Sequence, residues 1–463
     1  MVCAYNPKMK RKKMSALSRF LLVLAVALPT ASFAQTINLQ QAVQMSLNAD
    51  PRVKEREQLV ESARALLEEA QANNGWRINA NLFVGLAPAV SGGFYQGGAT
   101  SGTTPRTDGP FPGGLSDWTS LQVALIKPLF TFGKIKHYSE AAQGNIDVKR
   151  GDVRIGKADT VMDVKRAYYG YLTARDTRRF LEDVQSRLEG ALDRVSRNLK
   201  NDNGESKQSD LYAMQAARGM LGKYLSQAKA IEKISLNGLK LLTGVGMDAD
   251  LQVADDSLTP VPLPKDSLAE LQSKALQNRP EMAQLEAGLR ARRELVAAKK
   301  ADKYPNVYAG VVGTANYASR RDRLNNPYVY DPFNSVGATP VVGVKWDMDF
   351  GVADAKVAGE QAELEALNYK NQYAQAGIPF QVSEAYQHVH ADYAGLQDLA
   401  EGAAAARRWM VSSLADFNAG LEPADKVADA LKTYALTQAE YLRTVNDYNM
   451  NVAQMYRAAG ELK

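Results

Sequence analysis

Three groups of residues have types and spacings that invite a chemical reading. The first, Gly151-Asp152-Val153-Arg154-Ile155-Gly156-Lys157, nearly spells a phosphate-cradling loop. Such a loop follows a strand and ends in Ser or Thr, whose hydroxyl holds magnesium. Here Ala158 follows the lysine, and the segment lies inside a helical pattern, so a solvated helix face accounts for it better. The second group, His388 and His390, stands two apart on a helix, pointing to nearly opposite sides, which makes a poor metal pair. One further histidine, His137, and one cysteine, Cys3, complete the inventory of soft ligands. With no Ser/His/Asp grouping, the expectation is no catalytic residue, no metal site and no cofactor, hence no enzyme.

The third group is Asp425 and Asp429, spaced i, i+4 on one face at the start of the last helical pattern. Favourable interaction with the helix N-terminus explains them without any function. In a ring of three chains, however, the same carboxylates would repeat around a narrow opening. They would repel one another, attract cations and respond to pH and ionic strength, as a gate does.

The elements that would position such groups come in an unusual order. Residues 1–34 read as a secretory signal: Lys8, Lys10, Arg11, Lys12, Lys13 and Arg19 precede or open an apolar run at 20–28. Small residues at Ser32 and Ala34 then suggest cleavage before Gln35. Removing this segment turns the formal charge of +5 into −1, which leaves no basic domain for nucleic acid. Beyond it no apolar run reaches the roughly 18 residues of a membrane-spanning helix.

Residues 35–463 read as two repeats, 39–244 and 268–460. Leu39, Leu47 and Pro51 recur as Leu268, Leu276 and Pro280; Phe132-Gly133 recurs as Phe350-Gly351, and Gly204 and Gly244 as Gly420 and Gly460. Each repeat is expected to hold two short helices, two strands, one very long helix and a returning helix. The strands are placed near 77–87, 119–132, 305–317 and 339–350. Ile78, Ala80, Leu82, Val84 and Leu86 alternate with polar Asn79 and Asn81, the period-two pattern of a strand with unlike faces. Val342, Val344, Trp346, Met348 and Phe350 alternate with Lys345, Asp347 and Asp349. The strand at 119–132 is untidy, because Val123 and Leu125 fall on the face that Phe130 and Phe132 would make polar. Each long helix, starting after Gly133 or Gly351, would extend roughly 100 Å at 1.5 Å per residue. Pro379 should kink the second, and the proline-bearing stretch 245–267 reads as a linker.

Strands with one apolar and one polar face suit a membrane barrel. Four strands cannot close one, and an open sheet in lipid leaves its edge groups unsatisfied. Three chains would give twelve strands, so an oligomer is expected, with Trp118, Phe130, Phe132, Tyr304, Tyr308, Trp346 and Phe350 as candidates for interfacial aromatics.

In this order of elements the chain resembles the TolC-type outer-membrane efflux family. The resemblance rests on the duplicated helix–strand–strand–long-helix order and on Phe132-Gly133 and Phe350-Gly351 at the strand-to-helix joints. It rests also on Phe417-Asn418-Ala419-Gly420-Leu421 and on Tyr448-Asn449 before Gly460. It implies a mainly α protomer with membrane β-strands, a homotrimer with a twelve-strand β-barrel in outer-membrane lipid, and a long periplasmic α-helical barrel. It also implies a periplasmic adaptor (membrane fusion) protein and an inner-membrane pump or ABC transporter as partners. The function implied is the exit duct of a tripartite efflux or type I secretion system. A non-conducting structural or receptor protein of the envelope is the alternative. The turns at Asn203-Gly204 and Gly420-Leu421 correspond to the family's adaptor-contacting tips. Asp429 stands where the second acid of the family's periplasmic gate is expected, and Lys426 stands in place of the first, beside Asp425.

Overall fold

The structure, a computed structural model, describes residues 35–89, 114–201, 207–322, 328, 330–349 and 351–461. The expected signal segment lies outside the described residues.

The first repeat runs β1 (Gln35–Ile37), α1 (Leu39–Ala49), α2 (Pro51–Ala72), β2 (Arg77–Pro88), β3 (Leu115–Phe130), α3 (Lys134–Lys200) and α4 (Gln208–Thr243). The second runs β4 (Leu251–Val253), α5 (Leu268–Asn278), α6 (Pro280–Ala301), β5 (Asn306–Ala318), β6 (Val336–Lys345), α7 (Val352–Asn418) and α8 (Ala424–Ala458). Equivalent elements start by equivalent chemistry. The Asn38 side chain accepts the Gln41 amide at 2.8 Å while the Gln41 side chain accepts the Asn38 amide at 3.0 Å. Ser267 and Glu270 form the same reciprocal cap in the second repeat. Pro51 and Pro280 then open α2 and α6, where a missing N–H costs nothing.

Both long helices are 67 residues. Each begins at a glycine in the left-handed region, Gly133 at φ +81° and Gly351 at φ +98°, which lets an extended strand turn into a helix within about two residues. Helix α7 runs unbroken through Pro379, whose carbonyl accepts a hydrogen bond from the Gln272 side chain at 3.1 Å.

The four long strands form one antiparallel sheet in the order β2-β3-β5-β6, so the repeats join through β3 and β5. The helices continuous with them pack in the matching order α2, α3, α6, α7. Cross-strand partners share a face. One face therefore carries Ile78, Leu125, Val311 and Pro340 in one row and Leu82, Leu121, Ala315 and Val336 in another. The other carries Asn79, Ala124, Val312 and Thr339, then Asn81, Gln122, Thr314 and Gly337.

This register corrects the expected phase of β3. Val123 and Leu125 lie on the apolar face, and so does Phe130, because the register shifts between Pro128 and Phe130. The extra residue of a bulge, Leu129, changes the parity of the strand beside a proline that donates no ladder hydrogen bond. Strand β6 is also shorter than expected. It ends at Lys345, and the Trp346 indole beyond it donates to the Lys303 carbonyl at 3.0 Å. Phe350 lies outside the described residues.

Below the sheet, two helical hairpins, α3 with α4 and α7 with α8, close two cores. The upper one holds Tyr168, Leu172, Val382, Tyr448 and Met455; the lower holds Val195, Met214, Met410 and Val427. The stretch 245–267 is more than a linker. Its β4 pairs in parallel with β1. Asn449, itself buried, accepts the Val261 amide at 2.8 Å and donates to the Thr259 carbonyl at 2.9 Å. Asp176 accepts the Leu258 amide at 2.7 Å. Prolines kept this segment from forming a helix, and side chains of α3 and α8 satisfy its backbone instead.

Candidate functional site

The polar face of the sheet continues into one concave groove that runs down the helices. Arg77, Asn79, Asn306 and Tyr308 from the strands line it together with Tyr138 of α3 and Tyr373 of α7. Its charges are mixed: Lys134, Arg279, Arg292 and Lys370 face Asp152 and Glu281. Much of that charge is already paired. Lys134 lies 2.7 Å from Asp302, Arg279 2.9 Å from Glu281, and Arg292 2.8 Å from Glu360. Amides, hydroxyls and internally paired ions share this wall with apolar side chains such as Ile126, Leu285 and Leu367.

The opposite face is apolar and open. Ile78, Leu82, Val84 and Val342 are each more than 60 % exposed. Such a patch on a single chain marks a surface meant for lipid or for another chain. At its lower rim Phe130 packs edge-on to Phe132 at 4.7 Å, and Phe132 stacks on Tyr304 at 5.1 Å. These three, with Trp346, form an exposed aromatic rim where strands become helices. Two of the expected aromatics do not join it. Trp118 is half-buried and packs its edge on Phe333 at 5.8 Å, and Tyr308 fills the polar side of the sheet above Gly343.

At the far end of the hairpins, Asp425 lies in the first turn of α8, and both Asp425 and Asp429 are exposed while Val427 and Ala430 face the core. Gly420 turns the chain at φ +75°, and Leu421 is 79 % exposed. The other expected tip, Asn203-Gly204, lies outside the described residues.

The near-phosphate loop has a packing explanation. It lies within α3, and a Cβ at Gly151 would stand 2.1 Å from the Gln284 side chain, one at Gly156 2.6 Å from Arg56. Glycine therefore lets α6 and α2 close onto α3. Gln284 Nε2 donates to the Val148 carbonyl at 2.8 Å and to Asp152 at 2.7 Å, and Arg56 donates to the Asp152 carbonyl at 3.0 Å.

One cluster was not visible in the sequence. His137 Nδ1 lies 2.7 Å from Glu294 and 4.0 Å from Glu140. His137 and Glu140 are one turn apart on α3, but Glu294 is 157 residues away on α6, and no spacing rule joins them.

Residues 271–461 match the model of the outer membrane efflux protein family. No curated protein sequence matches the chain. Among solved structures, the outer-membrane channel OprN is 16 % identical, with a TM-score of 0.72 over 91 % of this chain and 89 % of that one. The CmeC outer membrane channel of Campylobacter jejuni is 13 % identical, TM-score 0.72, over 99 % and 95 %. The outer membrane protein VceC of Vibrio cholerae is 12 % identical, TM-score 0.71, over 91 % and 96 %. At such identities the likeness shows the fold.

Proposed function

We infer that this chain belongs to the outer membrane efflux protein family, whose model matches residues 271–461, and from that premise we propose how copies of it assemble, dock and gate. The protein is an outer-membrane exit duct of a tripartite efflux system, a passive conduit that crosses the outer membrane and extends through the periplasm. On this reading the duct is passive and works with adaptor and pump components.

Three copies close the barrel. The observation that carries this is the pair of open edges. β2 and β6 end the sheet and run in opposite directions, so β6 of one copy continues antiparallel onto β2 of the next. Unpaired edge groups in lipid cost several kcal/mol each, which an unclosed sheet cannot sustain. Four strands per chain give twelve in three, with Ile78, Leu82 and Val342 toward lipid and Asn79, Asn81 and Thr314 toward water. Helices α2 to α7, ordered like the strands, then close a tube below.

The hairpin ends receive the adaptor, with the exposed Leu421 beside Gly420 as one contact and Asn203-Gly204 as its counterpart in the first repeat. Asp425 and Asp429, exposed at the same end, form the cation-attracting gate. Planar-bilayer recording of purified, detergent-stable oligomers tests the assembly. Discrete conductance steps from a particle of three chains are expected. A sealed particle under all voltages, or a mass other than three chains, overturns the proposal.

A further inference from the structure

Directly beneath the aromatic rim, and away from the groove, His137, Glu140 and Glu294 bring one imidazole and two carboxylates together, their ligand atoms all within 4.8 Å of one another. We propose that this trio is a divalent first-row transition-metal site, of the zinc class, that fastens α3 of the first repeat to α6 of the second.

The donor set fits. One nitrogen and two carboxylate oxygens, with water in the fourth position, is an ordinary tetrahedral set for a borderline cation. Bonds of about 2.1 Å place neighbouring ligand atoms about 3.4 Å apart. The His137 contacts of 2.7 Å to Glu294 and 4.0 Å to Glu140 straddle that spacing, so side-chain rotation suffices. Glu294 is held below the ordinary carboxylate range, first by its bond to His137, so it presents an anion at neutral pH. Among the described residues Lys136 is the cation that pairs with the trio, 3.8 Å from Glu140 and 74 % exposed, able to swing into water. The second ring nitrogen stays accessible because residue 133 is glycine: a Cβ there would lie 3.2 Å from His137 Nε2. Coordination through Nδ1 needs that nitrogen's lone pair, so the neutral ring binds as the tautomer that carries its proton on Nε2.

The test is calorimetric titration of Zn²⁺ into the untagged, detergent-solubilised full-length protein. One ion per chain is expected, with Mg²⁺ failing to compete because it demands octahedral oxygen ligands. His137→Ala and Glu294→Gln should each weaken binding by roughly tenfold or more. The double variant His388→Ala/His390→Ala should bind like the parent. Zinc should also raise the melting midpoint of the parent and leave that of Glu140→Gln unchanged, which keeps the test decisive if a variant at 137 fails to fold. Absence of saturable binding, or parent-like binding by both Glu294→Gln and Glu140→Gln, overturns the proposal.

Discussion

Phe130 stands opposite Val307, one residue off the register that holds from Trp118 to Pro128. That single step sends Phe130 to the same face as Leu125 and aligns the aromatic rim with the apolar band. Deleting Leu129 should remove the step and drive Phe130 and Phe132 to the polar side. The expected result is loss of the detergent-resistant oligomer, read by electrophoresis without heating. Leu129→Ala keeps the residue count and should assemble. If both assemble alike, the bulge does not set the phase.

The two joints should differ in tolerance. An L-residue in the left-handed region costs roughly 1–2 kcal/mol. Gly351→Ala meets nothing within 4 Å, so it should lose about that amount, whereas Gly133→Ala also meets His137 at 3.2 Å and should lose more. Thermal melting of both variants checks the order.

Asn449→Ala strips the Val261 amide and the Thr259 carbonyl of their partner in a buried place. Leaving such groups unsatisfied costs about 1–3 kcal/mol each. Hydrogen exchange at 258–263 should accelerate well before the helices open. Unchanged exchange would show that β1 and β4 alone hold the segment.

Asp50 makes stability depend on acid. Burial alone would raise its pKa, but hydrogen bonds from Arg52 and Thr160 outweigh it and bring the group from 3.8 to about 2. A carboxyl depressed in the folded state stabilises fully above its unfolded value and loses that contribution as pH falls through the folded one. The contribution, about 2 kcal/mol, should therefore fade between about pH 4 and pH 2. Asp50→Asn should lower the melting midpoint at neutral pH and flatten its slope in that window.

The gate proposal has its own measurement. Asp425→Ala/Asp429→Ala should lower cation over anion selectivity and reduce the pH dependence of conductance in planar bilayers. Parent-like values in both would remove these residues from the gate.

Much was legible in the sequence, because it rested on local periodicity. The two 67-residue helices follow Gly133 and Gly351, and Pro51 recurs as Pro280 at the start of equivalent helices. Alternation of Ile78, Leu82 and Val84 with Asn79 and Asn81 established a strand with two unlike faces. Period two gives faces without register, however, so the bulge that reconciles Val123 and Leu125 with Phe130 emerged only once β3 met β5. The same holds for the clamp of Asn449 on Val261 and the meeting of His137 with Glu294, 188 and 157 positions apart. Spacing along a chain specifies neighbours within one element. Which side chains meet across elements is decided by how whole helices and strands pack.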